Sequence, residues 1–385
     1  MKRFALVFAS VLILATASRA QIGKAVAVTA GTPEDKALSD IYAAPDGPDK
    51  VALLDKFMAD FGKGDLALLA DQLYANTYLA QKNYAKVYEY GEKALALDPD
   101  NLSIAVAMVH AADEQGDIAK LFDNGDRVAA IVTRFRKSPP PAGMSAESWE
   151  QQKAGTLKGA QADTDYVEAA LFNAAYKLTD PKAKVAYMDR FTTMFPDSFY
   201  ATNAREQIAF ADEQAQNFSK MMEAAQSVLS KDPKNVDMLL LLADYWSERG
   251  QQLDRATEYS QKALDVLEQA KKPDQVPDDQ WQQQVSMQKG IAYTSLGQVY
   301  VNKGQNDQAV AAFRRAAPLL KSNPVSYAKD EYRLGFTLAK MQKIPEARAA
   351  LTEAVSIDSP YRQLAQQTLN KIGGATPRHT AKKSS

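Results

Sequence analysis

Apolar and small residues recur along this chain at intervals of three and four, broken at regular distances by short polar turns. From Leu66 to Asn101, Tyr74, Ala75 and Tyr78 lie on one helical face, and a polar turn follows at Gln81 to Asn83. A second series, Tyr84, Val87, Gly91, Ala94 and Leu95, ends at Asp98-Pro99. This predicts a helix, a tight turn and a second helix. The unit returns. An imperfect first copy uses Ala37, Leu38 and Ile41, then Val51, Leu54, Phe57 and Phe61; a third uses Ala105, Met108, Val109 and Ala112, a Gly116-Asp117 turn, then Leu121, Gly125 and Val128. A fourth carries Leu171, Phe172 and Ala175 with Met188 and Phe191, and a fifth and a sixth cover 202–233 and 236–270. A seventh shows Leu296-Gly297, Tyr300, Gly304, Ala309, Phe313 and Ala316, and an eighth Leu334-Gly335, Leu338, Ala347, Leu351 and Ala354. An amphipathic helix over 361–372 would close the end of the stack.

Proline punctuates the series, because consecutive prolines cannot continue a helix. Ser138-Pro139-Pro140-Pro141 and the stretch from Pro273 to Pro277 each precede a segment that opens on tryptophan, Trp149 and Trp281. The expected organisation is therefore a leader at 1–20, a flexible lead-in at 21–33, and repeats one to three at 34–137. A break at 138–148 comes next, then a Trp helix with repeats four to six at 149–270. A second break at 271–280, repeats seven and eight with a capping helix at 281–372, and a disordered basic tail at 373–385 complete the chain. A longer period overlies the short one. Lys50-Val51-Ala52, Asp55, Phe57 and Phe61 recur as Lys184-Val185-Ala186, Asp189, Phe191 and Phe195, 134 residues later, and Asp98-Pro99 and Asn101 recur as Asp232-Pro233 and Asn235. Four repeats of about 33 residues produce such an offset, which favours duplication of an ancestral block.

Composition narrows the function. With 46% apolar and 24% charged residues among 385, the chain reads as folded. A formal charge of −1 speaks against a nucleic-acid binder, which needs a basic face for phosphates. The absence of cysteine excludes disulfides, thiolate metal sites and a lipid on an N-terminal cysteine. Lys2-Arg3, an apolar run from Phe4 to Ala17 and small residues around Ser18-Arg19-Ala20 have the make-up of a secretion signal cleaved after Ala20, or after Ala17. The run is short for a span of roughly 30 Å of hydrocarbon, so no membrane span is expected after its removal, an uncleaved anchor being the alternative. Losing Lys2, Arg3 and Arg19 takes the formal charge from −1 to −4. The expected location is the periplasm or the cell exterior.

The sequence offers no catalytic, cofactor-binding or metal-binding residues. Of the two histidines, His379 falls in the expected tail and His110 on a repeat helix, which leaves no His cluster for zinc and no Ser-His-Asp arrangement. Gly62-Lys63-Gly64-Asp65 lacks the spacing of a phosphate loop and falls between helices. Asn101-Leu102-Ser103 and Asn217-Phe218-Ser219 match glycan acceptor sequences. Trp149 and Trp281 are expected to cover apolar surface beside the breaks, with a role as partner anchors as the alternative.

The pattern from Tyr74 to Pro99, and again from Leu296 to Ala316, resembles the tetratricopeptide repeat. The resemblance implies an all-α fold, a TPR-like α-solenoid in which antiparallel helix pairs stack into a right-handed superhelix. It further implies a protein-binding scaffold whose first helices line a concave groove. On that alignment the groove-facing line holds Asn76, His110, Asn173, Phe210, Asp244, Gln298 and Phe336, with Asp113, Glu114, Glu206, Glu213, Asp237 and Glu248 beside it. These acids predict a groove whose centre is acidic and suits basic or neutral extended peptides. Phe195-Pro196-Asp197-Ser198-Phe199-Tyr200, with Phe61-Gly62-Lys63-Gly64-Asp65, is similar to junctions in envelope repeat proteins of the BamD and YbgF type, which implies work in a bacterial cell envelope. The alternatives are a helical accessory domain of an envelope enzyme, or a groove that binds glycans or small molecules, with Phe210 and Phe336 as stacking residues.

Overall fold

The structure is a computed structural model that describes residues 21–373. The leader at 1–20 and the tail beyond Gly373 lie outside the described residues. Among the described residues there are helices and no strands, and the chain divides into two units, 1–211 and 212–385.

The first unit holds α1 (Pro33–Ala43), α2 (Pro48–Phe61), α3 (Asp65–Ala80), α4 (Tyr84–Leu97), α5 (Leu102–Gln115), α6 (Ile118–Lys137), α7 (Ala146–Gly159), α8 (Gln161–Tyr176), α9 (Pro181–Met194) and most of α10 (Ala201–Gln214). The second holds the end of α10 and then α11 (Phe218–Lys231), α12 (Val236–Arg249), α13 (Leu253–Gln269), α14 (Asp278–Asn302), α15 (Asn306–Leu320), α16 (Pro324–Lys340), α17 (Ile344–Ser356) and α18 (Arg362–Gly373). Each unit is TPR-like, a series of helix pairs with each pair packed on the next.

One turn recurs within the pairs. The amide two or three residues past the helix reaches back five positions: Asn83 to Tyr78 O, Asp117 to Ala112 O, Asn217 to Asp212 O, Gln251 to Trp246 O, Gln305 to Tyr300 O and Lys343 to Leu338 O, all at 2.8–3.1 Å. This is the Schellman closure, and it needs a left-handed residue just before the bonded amide. Gly116, Gly250 and Gly304 supply it, as do Lys82, Gln216 and Gln342 with φ of +56°, +59° and +62°. The polar Gln-Lys-Asn turn is the same device without glycine.

Between pairs, the Asp-Pro-x-Asn junctions also repeat. Asn101 accepts from the Ile104 amide and Asn235 from the Met238 amide, capping α5 and α12, so the two ends of the 134-residue offset do one job. Asn101 is 0% exposed, which rules it out as a glycan acceptor. Small residues in the pattern are contact points. A Cβ on Gly335 would lie 2.6 Å from Leu351 Cγ, so α16 and α17 approach as closely as they do only because none is there.

Two stretches differ from expectation. Residues 21–31, most of the lead-in expected to be flexible at 21–33, form an extended strap on the first unit. Ile22 is buried and its carbonyl accepts from the Leu102 amide, an otherwise unpaired donor at the start of α5. The Lys24 amide donates to Asp98 Oδ2 at 2.7 Å, Val26 packs on the core of α3, α4 and α5, and Val28 packs on that of α1, α2 and α3. Helical period carries no information about an extended segment, which is why the sequence left it as a linker. The Trp segments also part company. Trp149 lies on α7, a helix between pairs, whereas Trp281 is half-buried on the first turn of the 25-residue α14.

Candidate functional site

First helices of successive pairs share a face, and in the second unit that face carries a charge cluster. Asp244 and Glu248 stand one turn apart on α12, and Lys329 and Arg333 one turn apart on α16. Lys329 Nζ donates to Asp244 Oδ2 at 2.6 Å and also pairs with Glu248, while Arg333 Nη2 donates to Glu248 Oε1 at 2.7 Å. The intervening α14 contributes Ser295, whose hydroxyl donates to the other Asp244 oxygen at 3.3 Å. The ion pairs thus tie two helices separated by a complete pair.

Burial alone would raise the Asp244 carboxyl, but Lys329 and Arg333 outweigh it and hold it below the usual carboxylate range. For Lys329 burial pulls down, and Asp244 and Glu248 keep the ammonium above its ordinary value. Glu213, near the end of α10, faces the same cluster without a side-chain hydrogen bond or ion pair, and burial followed by the Asp244 charge raises its pKa. Three carboxylates therefore meet two cations.

That arrangement narrows the expectation of an acidic centre to a small excess of carboxylates. Asp244 and Glu248 are acidic in sequence but neutralised in place, by cations 85 residues further on. Lys329 and Arg333 lie outside the groove positions expected from the sequence, whose middle members read as acidic or neutral; their i, i+4 spacing on a first helix was the available signal. The other acids are mostly engaged too. Asp237 accepts from Gln288 at 2.8 Å, Asp113 from the Tyr166 hydroxyl at 2.7 Å, and Glu114 from the Tyr84 hydroxyl at 2.7 Å.

Of the seven residues on the expected groove line, Asn76 and Asn173 are exposed on α3 and α8, and Phe210 is half-buried on α10. His110 is half-buried and stacked on Tyr166, ring centroids 3.9 Å apart; burial lowers its pKa against the pull of Asp113, Asp163 and Glu114. Gln298 is half-buried and bonded within α14 to Asn302, and Phe336 is exposed beneath Lys340, which lies 5.5 Å from its ring centre. Only Asp244 belongs to the charge cluster. Among the described residues no group of three or more metal-ligating side chains occurs.

One comparison with known proteins bears on the helix pairs. A sequence profile described as the tetratricopeptide repeat matches residues 291–317, which comprise the second half of α14 and most of α15. The chain carries a tetratricopeptide repeat. The match covers one pair, and the recurring turns, caps and small-residue contacts extend the TPR-like arrangement to its neighbours. No curated protein sequence matches the chain. Solved structures similar to it include the apo form of the quorum sensor NprR from B. thuringiensis, 14% identical over 79% of this chain and 80% of that one, with a TM-score of 0.40. Yeast Tom70 is 10% identical over 88% of this chain and 94% of its own, with a TM-score of 0.38. TTC0263, a thermophilic TPR protein in Thermus thermophilus, is 17% identical over 54% of this chain and 98% of its own, with a TM-score of 0.36.

Proposed function

We propose that this protein is an exported, non-enzymatic scaffold that holds another protein through the first-helix face of its second unit. The observation that carries the reading is the set of ion pairs from α12 to α16 across Ser295, which fixes a polar surface built from three successive pairs. Fixing those side chains in advance lowers the ordering cost of binding. The expected partner offers an extended segment of neutral or basic character, because the cluster sets three carboxylates, Asp244, Glu248 and Glu213, against two cations, Lys329 and Arg333. The leader-like sequence at 1–20 and the short junctions similar to envelope repeat proteins support the envelope of a bacterium as the place of work.

In-cell crosslinking followed by purification of the wild type and of a Glu213→Ala, Phe336→Ala variant tests this. A discrete partner is expected with the wild type, and its loss from the variant at unchanged melting temperature. Equal recovery of the same proteins by both would remove the first-helix face from consideration. The mass of the purified wild-type chain should begin at Gln21, and a full-length chain in the cytoplasmic fraction would count against export.

A further inference from the structure

A cavity of about 580 Å³ opens in the first unit between the end of α6, the start of α8 and the loop from α9 to α10. Its size falls in the range of small-ligand pockets, roughly 300–1,000 Å³, enough for one or two side chains of a partner. The loop is the Phe195-Pro196-Asp197-Ser198-Phe199-Tyr200 junction, which the scaffold reading does not use. Pro196 and the bonds from the Ser198 amide to Phe195 O and from the Tyr200 amide to Ser198 Oγ turn the chain sharply. Tyr200 is held inward against Phe172, with ring centroids 4.9 Å apart at 19°. Phe199 is thrown outward and is 91% exposed.

The repeat does not require this arrangement. In the copy 134 residues earlier, Asp65 stands where Phe199 does and Lys63 where Asp197 does. An almost fully exposed phenylalanine at the mouth of a cavity contributes nothing to the core, and large aromatics beside a pocket are the residue type that anchors partners. The charged lining has a definite sign. Asp165 and Glu168 of α8 and Asp197 of the loop line the cavity together with one guanidinium, that of Arg136 on α6, whose charge acts on Glu168. Three carboxylates against one cation leave room for further positive charge.

We propose that this cavity docks a partner segment in which a lysine or arginine is flanked by apolar residues, the cation entering among Asp165, Glu168 and Asp197 and an apolar neighbour packing on Phe199. This rests on the scaffold reading and adds a second place of contact, away from the charge cluster of α12 and α16.

Fluorescence anisotropy on the full chain without its leader tests the proposal, with the labelled peptide Leu-Lys-Leu-Arg-Leu-Ala as probe and Leu-Glu-Leu-Asp-Leu-Ala as its acidic counterpart. Saturable binding of the basic peptide and none of the acidic one is expected. Phe199→Ala with Asp197→Asn should weaken binding about tenfold or more. Both side chains are exposed, so the melting temperature should not move. Glu258→Gln with Glu268→Gln, which removes two exposed charges on α13, should leave the affinity unchanged. Undiminished binding by the Phe199 and Asp197 variant, or equal weakening by the α13 variant, would overturn the proposal. Loss of binding on Glu213→Ala alone would also overturn it, while leaving the scaffold reading standing.

Discussion

Asp71 lies 4% exposed on α3, and its Oδ1 has no hydrogen-bond partner. Burial raises its pKa to about 6, with Lys93 opposing. A carboxyl that binds its proton more tightly folded than unfolded favours the native state below its unfolded pKa of about 4, and that favour is lost as pH rises through about 6. Asp71→Asn should therefore raise the melting temperature at pH 7.5, leave it nearly unchanged at pH 4 and flatten the slope between; an equal shift at both pH values would contradict this. Nothing in the sequence marks Asp71 out from the solvated acids around it, since its enclosure depends on how α3 and α4 close. Lys82 and Gln342 were hidden in the same way. Their turns were legible from the polar break in the pattern, but a left-handed backbone at a lysine or glutamine leaves no signature in residue type.

At the scale of the element, α7 shows what a tryptophan after a Pro-rich break can do. Trp149 packs edge-on against Phe135, ring centroids 5.8 Å apart, and its indole N–H donates to Ser138 O at 2.9 Å. Lys153, one turn on, donates to Arg136 O at 3.0 Å, so the helix caps carbonyls at the end of α6. The structural expectation for Trp149 fits these contacts. The strap is the opposite case, a stretch without helical pattern that is nonetheless packed. Ile22→Ala should destabilise the first unit by about 2–4 kcal/mol, as measured by denaturant unfolding, because it empties a buried site against the start of α5. Lys24→Ala should cost no more than about 0.5 kcal/mol, since the bond to Asp98 comes from the backbone and the ammonium is exposed. Equal costs would mean that the strap is held by charge and not by burial.

For the molecule as a whole, the alternation of large and small residues was enough to give the all-α class and the helix pairs. Within each unit, a pair has contacts mainly with the pair before and the pair after, and local pattern is what determines such contacts. The charge cluster was half legible. Asp244 lay on the expected line, while its cations came from two pairs away, a distance over which short-range pattern is silent. A stack of this kind has stability that is a sum of pairs and interfaces, so damage should stay local. Native-state hydrogen exchange on Leu351→Ala, which empties a fully buried position on α17, tests this most directly. Protection should fall in α16, α17 and α18, fade through α14 and α15, and remain at the wild-type level in α1 to α5. A uniform loss in every helix would show one cooperative core and contradict the account.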